Sequence, residues 1–465
     1  MNLTGDQVTT LMIDICWLCA LLLLGKLVRA RVVLLQRLFL PASVIAGFIG
    51  LVLGPYGAGK AGFQVLPQHM LDTWATFPGR LINVVFACLF LGMAIPSLKT
   101  IWREGGPQLC YGWMVGMGQY MVGVGITIVL LTPVFGVPHF FGCLLEIGFS
   151  GGHGTAAGMK EAFTQLGFEA GSDLGLMSAT VGVISAVVLG MVMLNMAARR
   201  GYTKVIRSPE ELSLERISGL IPAEKRTHGS TLTIAPDALE PMAFHSALVG
   251  VAVLLGWYAL KAIKSLSAGM EPDLFASFPL FPLAMLGGLL MQIVAHATGL
   301  DNYFDRKTFD RILGLALDFL VVSAIATIKL DVFLAYFWPF TILILAGLVW
   351  IVLATWFLAP RMLPDAWFER GITEYGMQTG VTALGLLLLR VADPHFETPA
   401  AKSFGFKQII YEPMLGGGFV TASAPILIAS FGTGVVFLGG LSTIVVMLAI
   451  AYLSGWIKRG GARSR

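Results

Sequence analysis

One apolar stretch of this 465-residue chain is interrupted at its centre by glycines and polar side chains. It covers residues 140–159 and contains Ser150-Gly-Gly-His-Gly-Thr155-Ala-Ala. Backbone N–H and C=O groups within a bilayer must bond to protein, water or a ligand, because lipid tails offer no partner. The stretch therefore favours a re-entrant hairpin or a discontinuous helix that lines a cavity, as at transporter binding sites. The alternative is a kinked helix whose small residues allow close packing.

The composition places the chain among integral membrane proteins. Apolar residues make up 56% of it and charged residues only 12%, whereas soluble proteins have about 25% charged residues. Glycine is frequent, with 55 residues, as expected where membrane helices pack closely or break. The five cysteines fall in or beside apolar segments, which favours buried thiols over a redox or metal site. The lipid bilayer is thus the predicted partner, and no nucleic-acid partner is expected.

Eleven segments are apolar enough to cross a membrane, although several cores are shorter than the roughly 20 residues of a full span. They are residues 10–24, 38–53, 81–95, 111–131, 174–196, 244–260, 278–295, 312–328, 333–358, 409–429 and 434–453. Two further apolar segments, 140–159 and 371–391, are predicted to be re-entrant hairpins.

The basic residues predict the orientation of these spans. With the N-terminus outside and each hairpin returning to its own side, 25 of the 31 basic residues fall in inside loops, Lys407 among them. The outside keeps only Lys60, Arg80, Lys160, Lys261, Lys264 and Lys329. Counting either hairpin as a full span would invert every later loop and remove this asymmetry. The sequence therefore predicts a multi-pass membrane protein with its C-terminus in the cytoplasm.

The hydropathy pattern occurs twice along the chain. Residues 1–198 hold four spans, a hairpin at about 139–160 and a fifth span; residues 242–430 repeat this order, with the hairpin at about 365–392. Because each half has an odd number of spans, the second half has the opposite orientation. We therefore predict an all-α integral membrane protein of two inverted-topology repeats, each with five transmembrane helices and a re-entrant hairpin.

Short sequence echoes support the two repeats. Pro41 with Gly47 and Pro282 with Gly288 occupy matching positions in the second span of each half. Residues 199–241 are polar and are predicted to be a cytoplasmic linker. Residues 431–465 have no counterpart in the first half, and we expect one additional transmembrane helix there, followed by a basic cytoplasmic tail.

The tips of the two hairpins form the predicted substrate site. Their glycines allow close approach of backbone N–H groups to a ligand, and their hydroxyls and His153 can donate hydrogen bonds. The substrate-binding candidates are Ser150, Gly151, Gly152, His153, Gly154 and Thr155 in the first hairpin, Gly376, Thr379, Gly380 and Thr382 in the second, and Glu412. His153 has an alternative role, a hydrogen bond to a carbonyl exposed by the helix break. Hydroxyls in membrane helices often bond only to their own helix, so only part of this set is expected to bind ligand.

Cations are expected at the same place. No Lys or Arg is predicted at mid-membrane, so an anionic substrate would be neutralised by helix N-termini, glycine N–H groups and co-bound cations. The spans that follow the hairpins bring small and hydroxyl residues to where an opposite hairpin would pack. The cation-ligand candidates are Ser178, Thr180, Asp318, Thr421 and Ser423. No catalytic residue, no organic cofactor and no transition-metal site is predicted.

Phe149-Ser-Gly-Gly-His-Gly-Thr155-Ala, the Pro41…Gly47 helix and Ser178-Ala-Thr-Val-Gly182 resemble the bacterial sodium/glutamate symporter family. The resemblance extends over roughly residues 10–429. It implies sodium-coupled uptake of glutamate across the bacterial inner membrane, with Na⁺ as the coupling ion. It also implies elevator-like alternating access and a homodimer with separate scaffold and transport parts. In the second hairpin, only Gly376, Gly380 and Thr382 correspond to the family's pattern.

Three other functions remain as alternatives. A sodium- or proton-coupled carrier of another small carboxylate or dicarboxylate would have the same architecture. An intramembrane enzyme using His153 and Glu146 would need a nucleophile or metal set that the sequence does not display. A channel would not need two inverted broken hairpins with hydroxyl-rich tips.

Overall fold

The computed structural model describes residues 5–37, 40–59, 62–63, 65–94, 97–205, 228–270, 275–276, 278–393 and 396–457. These residues are mainly helical and include no strand. Most of the predicted linker (residues 206–227) and the predicted basic tail from residue 458 onward lie outside the described residues.

The first eleven helices cover the chain as far as residue 199. They are α1 (Gly5–Arg31), α2 (Val33–Arg37), α3 (Ala42–Leu53), α4 (Gln68–Trp74), α5 (Phe77–Ala87), α6 (Leu98–Ile126), α7 (Thr132–Phe135), α8 (Leu144–Gly148), α9 (Gly152–Gly158), α10 (Lys160–Gln165) and α11 (Ala170–Arg199). The described helices from residue 241 onward are α12 (Pro241–Ser267), α13 (Phe281–Thr298), α14 (Arg306–Ala326), α15 (Leu330–Ala335), α16 (Phe337–Leu353), α17 (Ala359–Met362), α18 (Trp367–Ala392), α19 (Ala400–Tyr411), α20 (Phe419–Phe431) and α21 (Thr433–Leu453).

Eight helical segments of the described chain are long and apolar enough to cross a membrane. They are Gly5–Arg31, Ala42–Gly59, Lys99–Phe135, Ala170–Arg199, Pro241–Ser267, Phe281–Thr298, Phe337–Met362 and Thr433–Leu453. Each coincides with one of the eleven predicted spans. The protein is therefore a multi-pass membrane protein.

Three predicted spans are not among these eight, for different local reasons. In the segment 81–95, α5 ends at Ala87. The segment 312–328 lies in α14, whose first turns carry several charges. The segment 409–429 is divided between α19 and α20, because Pro413 cannot donate a backbone hydrogen bond and the glycines that follow it leave the helical conformation. Gly416 and Gly417 there have φ values of 70° and 103°.

The chain forms two compact units. Unit 1 comprises Met1–Ala94, Ala157–Glu161 and Ser213–Asp331, and unit 2 comprises Ile95–Ala156, Ala162–Leu212 and Val332–Arg465.

Unit 1 is held together by close helix contacts at small residues. A side chain at Gly25 of α1 would meet the backbone of Ala42 at the start of α3, and one at Gly50 of α3 would lie 2.8 Å from Cβ of Ala326 in α14. The indole N–H of the buried Trp74 donates a 3.0 Å hydrogen bond to the carbonyl of Asp14. These contacts bring α1, α3, α4 and α14 into one apolar core.

The two echoed proline–glycine pairs of the sequence have similar local roles in unit 1. Pro41 precedes the first residue of α3, and Pro282 lies in the first turn of α13, where a missing N–H costs nothing. Gly47 lies against Ile325, and Gly288 lies against the backbone of Ala87. In both pairs the proline starts a helix and the glycine allows a neighbouring helix to approach.

In unit 2, α6 packs against α16, α19 and α21. The indole N–H of Trp350 donates to the carbonyl of Val115 at 2.9 Å, with its ring over Gly118. Gly116 similarly accommodates the Tyr411 hydroxyl. The glycines of α6 thus let large side chains of neighbouring helices lie against its backbone.

Candidate substrate and sodium site

The first helix break lies at Phe149–Gly151, between α8 and α9. Gly152, the first residue of α9, has φ +72°, which glycine adopts without strain. Side chains of Ile147, before the break, and Ala156, after it, both lie beside Gly175 of α11. The two short helices on either side of the break therefore pack against the same neighbouring helix, α11.

The second break lies within α18, at Gly380 and Val381, whose backbone angles are not helical. Residues on the two sides of this break contact each other. A Cβ at Gly376 would lie 2.7 Å from the Leu384 carbonyl, and one at Gly385 would lie 2.6 Å from the Thr373 carbonyl. In a continuous helix the first pair would be about 12 Å apart along the axis and the second pair about 18 Å. Segment α18 is therefore a helical hairpin, with a first arm before Gly380 and a second arm after Val381.

The tips of the two breaks meet. A side chain at Gly152 would lie 2.5 Å from Cγ1 of Val381. Val381 has φ 62°, a conformation that is costly for a β-branched residue and that marks a functional site in many proteins. Gly182 of α11 lies directly against the Thr379 carbonyl of the second hairpin. Unit 2 thus brings both predicted hairpin tips to one place beside α11.

A buried carboxylate anchors the first break. Glu146 Oε1 accepts hydrogen bonds from Ser150 Oγ at 2.7 Å, Thr421 Oγ1 at 3.1 Å and the Gly416 N–H at 3.0 Å. Its Oε2 accepts one from the Tyr120 hydroxyl at 2.6 Å. These bonds connect the first break to the irregular segment between α19 and α20.

A second polar cluster, comprising Thr382, Gln408 and Glu412, lies at the second arm of the α18 hairpin. The Thr382 hydroxyl donates to Oε1 of Glu412. The Gln408 amide donates to Thr382 Oγ1 at 2.5 Å and to Glu412 Oε1 at 3.0 Å. Two of the predicted substrate residues, Thr382 and Glu412, are therefore in direct contact.

A third cluster was missed by the sequence analysis. Lys407, which was counted in an inside loop, lies within α19 and is fully buried, so that interpretation is wrong. Its Nζ lies 2.8 Å from Oε1 of the equally buried Glu374. Gln108 and Gln378 each donate to Glu374 at 2.9 Å. Glu374 is a charged residue within the apolar segment 371–391, but nothing in the sequence pairs it with Lys407.

His153 links the first break to α11. Its Nε2 lies 3.0 Å from Thr180 Oγ1, and the Thr180 hydroxyl donates its proton to the Leu176 carbonyl. While the Thr180 proton is directed at this carbonyl, Thr180 accepts from His153, which requires the tautomer with a proton on Nε2.

The other candidates have different surroundings. Thr155 and Ser178 are fully buried, and their hydroxyl oxygens make no hydrogen bond in the described part of the chain. Thr379 and Ser423 bond back to carbonyls of their own helices. Gly154 is buried within α9. Asp318 belongs to unit 1, where it bonds with Ser43.

The structure combines apolar helices of membrane-spanning length with broken helices that converge on buried polar groups. This combination is characteristic of membrane transport proteins. The family model for the sodium/glutamate symporter matches residues 6–367, and the chain belongs to this family. The activity of the protein is sodium-coupled transport of glutamate, with Na⁺ as the coupling ion. The protein is a symporter rather than an enzyme. No curated protein sequence matches the chain significantly.

The match ends at the first residue of the α18 hairpin. It includes Glu146, the first break and α11. The second hairpin, Lys407, Glu412 and Thr421 all lie beyond it. The family assignment therefore rests on residues 6–367, which include the first break, and the chemistry of the second hairpin is argued from the structure of this chain.

Proposed function

We propose that glutamate binds where the two hairpin tips of unit 2 meet. The contact between Gly152 and Val381 carries this proposal, because it joins two helix breaks that the sequence places more than two hundred residues apart. Backbone N–H groups at such breaks can bind carboxylate oxygens. Ser150, Gly151, His153 and Thr155 would face the substrate from one side, and Gly376, Thr379, Gly380 and Thr382 from the other.

The charges nearby support sodium as a partner at this site. Glu146 is buried and receives four hydrogen bonds, all from neutral donors. Glutamate adds a net charge of about −1 at neutral pH, given the usual pKa values of its groups. Co-bound cations offset this negative charge, because an uncompensated buried charge is strongly unfavourable.

Thr155 and Ser178 are the hydroxyls best suited to hold a cation. Buried polar oxygens usually have a partner, and these two have none in the described chain. Thr180 and Thr421 already hold hydrogen bonds and would contribute a remaining lone pair, and Ser423 would first release its bond to the Phe419 carbonyl. Asp318 stays a separate candidate within unit 1.

The proposed membrane topology follows the charge asymmetry. The N-terminus lies outside, the C-terminus lies in the cytoplasm of a bacterium, and ten of the eleven spans form two inverted repeats with re-entrant hairpins at about 139–160 and 365–392. Residues 1–198 and 242–430 are the repeats, 199–241 the cytoplasmic linker, and 431–465 the additional helix with its tail. The matching roles of Gly47 and Gly288 support this arrangement.

Alternating access is proposed to involve movement of unit 2 with its cargo. The three polar clusters and both helix breaks are formed largely by residues of unit 2, so the proposed site can move as one body. We further propose a homodimer. The exposed apolar surfaces of α12 and α21, whose spans are only 17% buried, are available for lipid or for a second copy.

Protection of a thiol at the second hairpin tests the proposed site. Ala383, next to Thr382, is exposed and can be replaced by cysteine in a cysteine-free background. Sodium and glutamate together are expected to slow labelling of Ala383→Cys by a thiol reagent. Lys307→Cys, at an exposed position in the charged first turn of α14, is the control and should label at an unchanged rate. Equal labelling of Ala383→Cys with and without both ligands would reject this location.

A further inference from the structure

The buried ammonium group of Lys407 has the surroundings of a bound monovalent cation. Its Nζ lies 2.8 Å from Glu374 Oε1 and 2.7 Å from Gln408 Oε1. The ring of Tyr411 lies under it, with its centroid 3.4 Å away, and the ring of Phe404 lies 5.5 Å away. Carboxylate and amide oxygens together with aromatic faces are groups that attract a positive charge.

Lys407 is the one cation that pairs with Glu374 among the described residues. The remaining contacts of this carboxylate are neutral, because Gln108 donates to Oε2 and Gln378 donates to Oε1. Both charged side chains are fully buried. Removing the ammonium alone would therefore leave a buried carboxylate without a counterion.

The pair is connected to the proposed substrate site. Gln408, which accepts from Lys407, donates through its amide nitrogen to Thr382 and Glu412. Glu374 itself lies on the first arm of the same hairpin that carries Thr382 on its second arm. The ammonium is thus one side chain away from the groups assigned to the substrate.

We propose that Lys407 is a tethered cation that permanently occupies a monovalent-cation position beside Glu374. Because the position is filled by the chain itself, it takes up no sodium, and Glu374 adds no ion to the transport cycle. The proposal rests on the proposed function, since it limits the number of sodium ions that accompany glutamate. A purely structural ion pair is the competing explanation.

Sodium-dependent stability separates the two explanations without using transport. The experiment measures the thermal unfolding midpoint of three purified proteins: the wild type, Lys407→Met and the double variant Glu374→Gln/Lys407→Met. NaCl is increased in the absence of glutamate, and choline chloride keeps the total chloride concentration constant. Lys407→Met is expected to show an additional saturable rise in its unfolding midpoint with sodium, because binding to the folded state stabilises it. The double variant has no carboxylate to neutralise and should respond to sodium as the wild type does.

Lys402→Met is the matched control. Lys402 lies on the same helix, and its exposed side chain pairs with Glu104 at 3.3 Å. Its variant should keep the wild-type sodium response. If Lys407→Met melts lower but responds to sodium as the wild type does, the pair is structural and the proposal is overturned.

The coupling ratio gives a second measurement, and its comparison of the wild type with the double variant does not need the single variant to fold. In proteoliposomes, the sodium-to-glutamate ratio from reversal potentials should be equal for the wild type and the double variant, and one sodium higher for Lys407→Met. A changed ratio in the double variant would overturn the proposal. Sodium-independent uptake by the wild type would instead reject the proposed function, while the melting experiment would still report on the cation position.

Discussion

The hydroxyl of Tyr120 in α6 donates a 2.6 Å hydrogen bond to Oε2 of Glu146 in α8, and both side chains are fully buried. The bond therefore holds the first helix break against α6. It is also one of the four hydrogen bonds that the buried carboxylate accepts. If it is lost, water can replace it only where the protein structure opens locally.

Tyr120→Phe removes this bond and leaves the ring in place. We expect it to lower the free energy of unfolding by about 1.5–3 kcal/mol, the usual contribution of a hydrogen bond to a charged group. Thermal or denaturant unfolding of the purified protein measures the change. Tyr258→Phe, at an exposed position of α12, is the control and should have little effect. Equal stability of Tyr120→Phe and wild type would mean that the bond is not formed in the folded protein.

Gly152→Ala tests the contact between the two hairpin tips. Alanine at a positive φ costs about 1–2 kcal/mol, and here its Cβ would also collide with Val381. We expect severe loss of sodium-dependent glutamate uptake. Gly167→Ala is a close control, because Gly167 has φ +74° and open space around it. An equal loss of uptake in the two variants would show that backbone strain, and not the contact between the tips, explains the effect. Gly152→Val should abolish transport while membrane insertion continues.

Thr382→Val removes the hydroxyl that joins Gln408 to Glu412. Without it, Glu412 loses a hydrogen bond, and we expect weaker binding of the ligands that this cluster positions. The loss of a hydrogen bond to a charged group predicts a roughly tenfold rise in the glutamate concentration for half-maximal uptake. The control is Thr443→Val, since the Thr443 hydroxyl bonds only to the Gly439 carbonyl of its own helix. An unchanged glutamate dependence in Thr382→Val would remove Thr382 from the proposed site.

The inverted topology predicts opposite faces for Lys160 and Lys402. Both residues are exposed, and each follows one of the hairpins. Single cysteines at these positions, in a version without the five native cysteines, should be labelled by an impermeant thiol reagent from opposite sides of the membrane. Labelling of both from the same side would contradict the inverted repeats.

The first helix break could be predicted because its signal is local. Glycines and hydroxyls within an apolar stretch conflict with a continuous lipid-exposed helix, and the break at Phe149–Gly151 lies where this conflict is strongest. The divided segment 409–429 was predicted as one span because its hydropathy is high on average. Pro413 and the positive φ values of Gly416 and Gly417 nevertheless interrupt it.

Lys407 was missed because charge counting treats a lysine near other basic residues as part of a loop. The signal that could have found it is periodicity. Ser403, Phe404, Lys407, Gln408 and Tyr411 have the spacing of one helix face, and all five are buried. That face is largely polar, so hydropathy does not reveal it. The partner of Lys407 is Glu374, which also accepts from Gln108, and only the fold brings these three residues together.

Accumulation of glutamate by the reconstituted protein under an imposed sodium gradient and membrane potential is the most direct test of sodium-coupled transport. If two or more sodium ions accompany each glutamate, each net charge carried inward gains about 2.3 kcal/mol per 100 mV, or about 50-fold in the accumulation ratio. We predict accumulation that requires sodium, increases with an inside-negative potential, and is lost in Gly152→Val. Uptake that is indifferent to both sodium and voltage would contradict the account.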